Sequence, residues 1–141
     1  MVFAQQARPA LEVATIVRQA ARFFQLEVAF EHIAEGVALP AEAATRVRVG
    51  DATRLCIGRP KDAADQAAAQ EAEAQRGFTG LSQLAFRCET VWLVEAQGPS
   101  DVNALRIAAV LASVLLGPIL APDGAELFGV KTARGKLERM A

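Results

Sequence analysis

Apolar and polar positions change their period several times along the chain, and each change marks an element. Residues 90–96, Thr-Val-Trp-Leu-Val-Glu-Ala, form a short apolar run rich in β-branched and aromatic side chains. That pattern predicts a buried strand. Gln97-Gly98-Pro99 breaks it, and a helix follows over 100–116. Ser100 serves as its N-cap, Asp101 sits in the first turn, and Gly117-Pro118 stops it. From Ile107 to Leu116 nearly every position is apolar, so this central helix must be enclosed on most sides.

The flanking segments are more conventionally patterned. Residues 9–26 predict an amphipathic helix, with Val13, Val17, Ala20 and Phe24 in one stripe and Pro9 in the first turn. Residues 27–33 alternate, placing Val28 and Phe30 on one face of a half-buried strand. His32, the single histidine, continues that face and reads as a structural residue. A loop containing Gly36 and Pro40 leads to a second alternating strand, 45–49, with Thr45, Val47 and Val49 inward.

The next strand, 54–58, is expected to turn Leu55 and Ile57 inward. A three-residue loop, 50–52, sets Val47 opposite Leu55 and Thr45 opposite Ile57; a slip of one residue would mix the faces. In this register Arg46, Arg48 and Arg54 decorate the outer strand surface.

Asp62 caps an Ala- and Gln-rich helix over 63–75 that has no large apolar residue to bury. In 81–88, Leu81, Leu84, Ala85 and Cys88 fall at helical spacing, and Thr79 stands at a capping position. A helix here makes 55–58, the helical crossover and 90–96 a βαβ unit with parallel strands; a strand paired with 90–96 is the alternative. Ala121-Pro122-Asp123-Gly124 is a turn, and 126–130 a last short strand. The ends, 1–8 and 131–141, read as loose. The fold class expected is therefore a single α+β domain with a mixed sheet of four or five strands, a β-hairpin and covering helices.

With 81–88 as a strand, the order α-β-β-β-α-β-β-α resembles the dimeric chaperones of bacterial type III secretion. The resemblance is one of element order and small acidic size, and it assigns no residue.

Composition narrows the function classes. The chain has 141 residues, 52% hydrophobic and 22% charged, with a net charge of −1. It is long enough to bury a core without metal or disulfide staples, and no overall basic field recruits nucleic acid or an anionic membrane. The longest uncharged run is shorter than the ~20 residues of a spanning helix. No secretory leader pattern opens the sequence. Cys56 and Cys88 have no metal-ligand spacing and read as reduced thiols of a cytoplasmic protein. Lys131, Arg134, Lys136 and Arg139 make the tail basic, which reads as a solvated end. Phosphate-loop, dinucleotide, nucleophile-elbow and zinc motifs are missing from the sequence, and no cofactor or metal is expected.

Two places remain for function. Arg46, Arg48 and Arg54 form a candidate interaction surface for a protein partner or a second copy. Arg59, Lys61, Asp62, Glu95, Ser100 and Asp101 would meet beyond the ends of parallel strands, where two helix N-termini also point. They form a candidate ligand crevice. The leading expectation is a non-enzymatic protein-interaction or chaperone-like module that binds neither nucleic acid nor membrane. The alternative is a small-molecule sensor or enzyme using the crevice.

Overall fold

The computed structural model describes residues 1–5, 12–31, 33, 39 and 43–140. In chain order its elements are β1 (Val2–Ala4), α1 (Val13–Phe24), β2 (Val28–Phe30), β3 (Thr45–Val49), β4 (Ala52–Pro60), α2 (Ala63–Arg76), α3 (Leu81–Phe86), β5 (Thr90–Val94), α4 (Val102–Leu115), β6 (Ile119–Leu120), β7 (Leu127–Phe128) and α5 (Val130–Met140). Pro9, His32, Gly36 and Pro40 lie outside the described residues.

The α+β class holds, with more strands than the sequence pattern indicates. Seven strands among the described residues form one sheet in the order β2-β3-β4-β5-β1-β6-β7. Every pairing is antiparallel. Strand alternation sends side chains to two faces, and helices cover both. Val2, Val47, Val49, Cys56, Trp92 and Phe128 share a core with α1, α4 and α5. Phe3, Val91, Leu120 and Leu127 share a smaller one with Ala69, Ala72 and Ala85 of α2 and α3. The small side chains of α2 thus let it approach the sheet closely. The central helix α4 is buried as expected, with Ile107–Ala112 all nearly inaccessible.

The βαβ expectation fails although 81–86 is helical. Chain leaving β4 at Pro60 climbs through α2, turns at Gly77–Gly80 and comes back through α3. An antiparallel pair of helices returns the chain to the end it left. The Lys61 N–H donates to the Glu89 carbonyl at 2.8 Å, and β5 runs antiparallel to β4 with Pro60 opposite Thr90. Because 81–86 is a helix, the element order that resembles the secretion chaperones is not the one formed. Opposite Trp92 stands Gly58, where a Cβ would lie 2.8 Å from the indole.

The hairpin register also differs from expectation. The loop is the two-residue Gly50-Asp51 turn, with Val49 opposite Ala52, Val47 opposite Arg54 and Thr45 opposite Cys56. Gly50 has φ +58°, as the first central position of a II′ turn demands. Arg54 and Cys56 therefore face inward, and Leu55 faces outward with 40% of its surface exposed. Arg54 is accepted inside because Asp101, the N-cap of α4, meets it there.

The ends are built into the fold. β1 pairs with both β5 and β6 near the middle of the sheet. Its Phe3 N–H donates to the Pro118 carbonyl at 3.0 Å. α5 packs on α4 through Ala133, with Val130 and Leu137 against the same core. Among the described residues no helix is long and apolar enough to cross a membrane.

Candidate functional site

Each buried ionic group in the described residues has a structural task. Arg54 Nε donates to Asp101 Oδ2 at 2.7 Å and Nη2 to Oδ1 at 3.1 Å. The same carboxylate accepts the backbone N–H groups of Gln97, Asn103 and Ala104 at 2.8, 3.0 and 3.2 Å. Asp101, not Ser100, is therefore the N-cap. The Arg54 guanidinium first, and then the backbone donors, hold its carboxyl well below the usual range. The pair clamps the start of α4 to the inner face of β4.

Arg59 forms a second bidentate pair, Nη1 to Asp65 Oδ2 at 2.6 Å and Nη2 to Oδ1 at 2.8 Å. Asp65 is also the third residue of a reciprocal capping box. Its side chain accepts the Asp62 N–H at 2.9 Å, and Asp62 accepts the Asp65 N–H at 2.9 Å. Glu73 is buried without a cation. It accepts the hydroxyls of Thr79 and Ser82 and their backbone N–H groups. These donors, the Ser82 hydroxyl first, hold its carboxyl down to about 2. Cys56 and Cys88 lie unbridged in the two different cores, and burial pushes the Cys56 thiol up to about 12.

The proposed crevice is not assembled. Antiparallel pairing sets Arg59 opposite Val91, at the start of β5, while the Glu95 N–H bonds the Leu55 carbonyl beyond its other end. Four residues at ~3.3 Å each separate the two ends by roughly 13 Å. Arg59 and Asp62 belong to one end, Glu95 and Ser100 to the other. Lys61 bonds the Ala85 and Phe86 carbonyls at 2.7 and 3.1 Å. Ser100 and Asp101 instead line a different cavity of about 370 Å³, between α4, α5 and the β6 turn. Leu105, Ile119, Phe128, Lys136 and Arg139 also line it.

No family model, curated protein or solved structure matches this chain.

The three arginines expected on one surface are divided between the two faces of the sheet. Helices α2 and α3 cover their face of the sheet only over β1, β6, β7 and part of β5. Over β3 and the 53–57 stretch of β4 that outer face packs, among the described residues, against neither α2 nor α3, which reach β4 only at Arg59 through Asp65. It presents Arg46 and Arg48, both exposed, beside Thr53, Leu55 and Ile57 of β4 and Leu93 of β5. Arg54 points away from it. Neither Arg46 nor Arg48 has a carboxylate within ion-pair distance among the described residues. Leu55 and Ile57 are the surface residues the sequence reading missed. A Gly at the first position of a two-residue hairpin loop was the available signal, because II′ turns are among the commonest hairpin connections.

Proposed function

We propose that this chain is a cytoplasmic protein-interaction module whose working surface is the outer face of β3 and β4. One observation carries the reading: Leu55, Ile57 and Leu93 stand on an uncovered stretch of sheet, flanked by two exposed arginines that have no ion-pair partner among the described residues. Over β1, β6 and β7 the same face is covered by α2 and α3. Antiparallel sheets do expose one face to water, but as alternation with polar residues outward. Three neighbouring aliphatic side chains outward gain nothing for the isolated chain. Arginine beside apolar side chains is the composition of protein interfaces.

Several features support the remaining parts of the reading. The buried polar pairs are consumed in helix caps and clamps. Two of the basic side chains of α5 are engaged at home: Lys136 pairs with Glu126 at 2.7 Å, and Arg134 lies over the Phe24 ring. This favours a protein partner over nucleic acid. Two buried, unbridged thiols fit a reducing compartment.

The test is site-specific photocrosslinking with the probe at position 57 and a control probe at Glu138 on α5. A protein adduct formed at 57, absent at 138 and lost in the Arg46→Ser/Arg48→Ser variant, is expected. Equal labelling at both positions, or an adduct indifferent to the two arginines, would remove the outer face as the working surface.

A further inference from the structure

Resting on the reading of the outer face as an interaction surface, we infer that its occupant is a second copy of this chain, related by a two-fold axis parallel to β4.

The reasoning starts from the register. Arg46 of β3 stands opposite Leu55 of β4, and Leu55 bonds to Glu95, just past β5, through its carbonyl at 2.8 Å. Glu31 follows β2 opposite Arg46, its N–H bonding the Arg46 carbonyl at 3.0 Å. The row therefore reads anion, cation, apolar, anion, and its members Arg46, Leu55 and Glu95 are the ones centred on β4. With strands ~4.8 Å apart, Arg46 and Glu95 lie on either side of Leu55 at roughly equal distance. The Leu55 N–H donates to Glu95 Oε1 at 3.4 Å, which keeps the carboxylate beside the ladder. Its Oε2 has no partner among the described residues, and neither has the Arg46 guanidinium.

Such a row is complementary to its own image. Turning one sheet over about an axis parallel to the strands and passing above Leu55 exchanges left for right. Arg46 of one protomer then faces Glu95 of its mate, twice by symmetry, and Leu55 faces Leu55. The next row follows suit, with Ile57 on Ile57. An axis perpendicular to the strands would set Arg46 against Arg46 and Glu95 against Glu95, so charge selects the first arrangement. The resulting stack has nearly aligned strands, one of the two ways in which sheets pack face to face. An isologous pair is also closed, so the row leads to a dimer and not to a filament. The face open to the mate spans three strands, β3, β4 and β5, and about five residues per strand, on the order of 240 Å² in projection. That is below the ~1,000 Å² of total buried area that stable interfaces clear, so the dimer should be weak and transient, forming at roughly tens to hundreds of micromolar.

Charge exchange tests the register and the occupant together. Arg46→Glu and Glu95→Arg alter exposed side chains, so both variants should keep the wild-type circular dichroism and melting curve. Sedimentation velocity over about 1–500 µM should show a wild-type dimer and at least tenfold weaker self-association for each single variant. An equimolar mixture of the two single variants should dimerise again, because glutamates on one chain meet arginines on the other. The double variant Arg46→Glu/Glu95→Arg should self-associate like wild type. A wild-type chain that stays monomeric over the whole range would overturn the second copy. The partner-binding reading would then still stand or fall on the photocrosslink at position 57. A dimer that the single variants leave unchanged, or that their mixture does not restore, would overturn the row as its contact.

Discussion

Replacing Arg54 by Met should cost about 3 kcal/mol, and the reasoning behind that figure is local. The guanidinium makes two bonds to Asp101, and the two side chains retain only 9% and 4% of their exposure. Removing one member of a buried pair leaves the other charge uncompensated, typically at ~3–5 kcal/mol. The lower figure applies because three backbone N–H groups still solvate the Asp101 carboxylate. Met keeps the length of the stem and limits any cavity. Asp101→Asn should cost somewhat more, about 4 kcal/mol, since Asn caps well but leaves the buried guanidinium without an anion. The double variant should then fall short of the sum by at least ~2 kcal/mol, as residues in one network do.

Urea denaturation at pH 7 measures all three. The pH dependence supplies an independent arm. A carboxyl whose folded pKa is depressed stabilises above its unfolded value and loses that contribution as pH falls toward the folded one. Wild type should therefore weaken as pH drops below about 3.8, the ordinary value for Asp, and Arg54→Met should show a flatter profile. A loss under about 1 kcal/mol for Arg54→Met is what an exposed arginine gives. That result, or additive single variants, would refute the inward register of β4.

Three further outcomes follow from the packing. Gly117→Ala would drive a Cβ into the Phe3 carbonyl, a backbone clash that no rotamer relieves; we expect a loss of roughly 3 kcal/mol or more by thermal unfolding, and an unchanged melting temperature would contradict the seating of β1. Deleting Val130–Met140 strips Ala133 and Leu137 from α4 and breaks the Lys136–Glu126 pair. The melting temperature should fall by roughly 5–10 °C for about 3 kcal/mol of lost burial, whereas a solvated tail would leave it unmoved. Glu73, whose ordinary pKa is 4.5 and whose folded value is about 2, should stabilise the fold above pH 4.5 and lose that contribution as pH falls toward 2. Acid unfolding monitored by fluorescence should be shallower in Glu73→Gln; identical profiles would mean that the Thr79 and Ser82 donors do not favour the charged form.

Much of the local structure was legible because its causes are local. The Asp62 cap, the α4 stop at Gly117-Pro118 and the alternation of Thr45, Val47 and Val49 depend on neighbours a few residues away. What escaped depends on distant ones. Arg54 was assigned outward because an arginine on a strand normally seeks water; its partner is 47 positions away in Asp101. That one error moved Leu55 and Ile57 to the wrong face and hid the apolar patch. The crevice failed for a topological reason: the Gly77–Gly80 break makes two helices of one crossover, and two helices return the chain where one would carry it across. β1, β6 and β7 are two or three residues long, too short for any period to show. Alternation alone places Arg46 and Arg48 on the outer face, whereas Glu95 stands beside Leu55 on that face and not in a crevice with Arg59.

The central claim is that the outer face of β4 meets its own copy, and position 53 reads it most directly. Thr53 lies on β4 two residues from Leu55, on the same face and on the line of the axis. Cys56 and Cys88 are each 1% exposed and should not take up label, so Thr53→Cys can be modified alone with pyrene maleimide in the native protein. Across a two-fold parallel to β4 the two pyrenes face each other over a sheet spacing of ~10 Å. Excimer emission that grows with concentration, and disappears when Arg46→Glu is added, is the predicted result. Monomer emission alone at concentrations up to about 500 µM, the upper range expected of a weak, transient dimer, would contradict it.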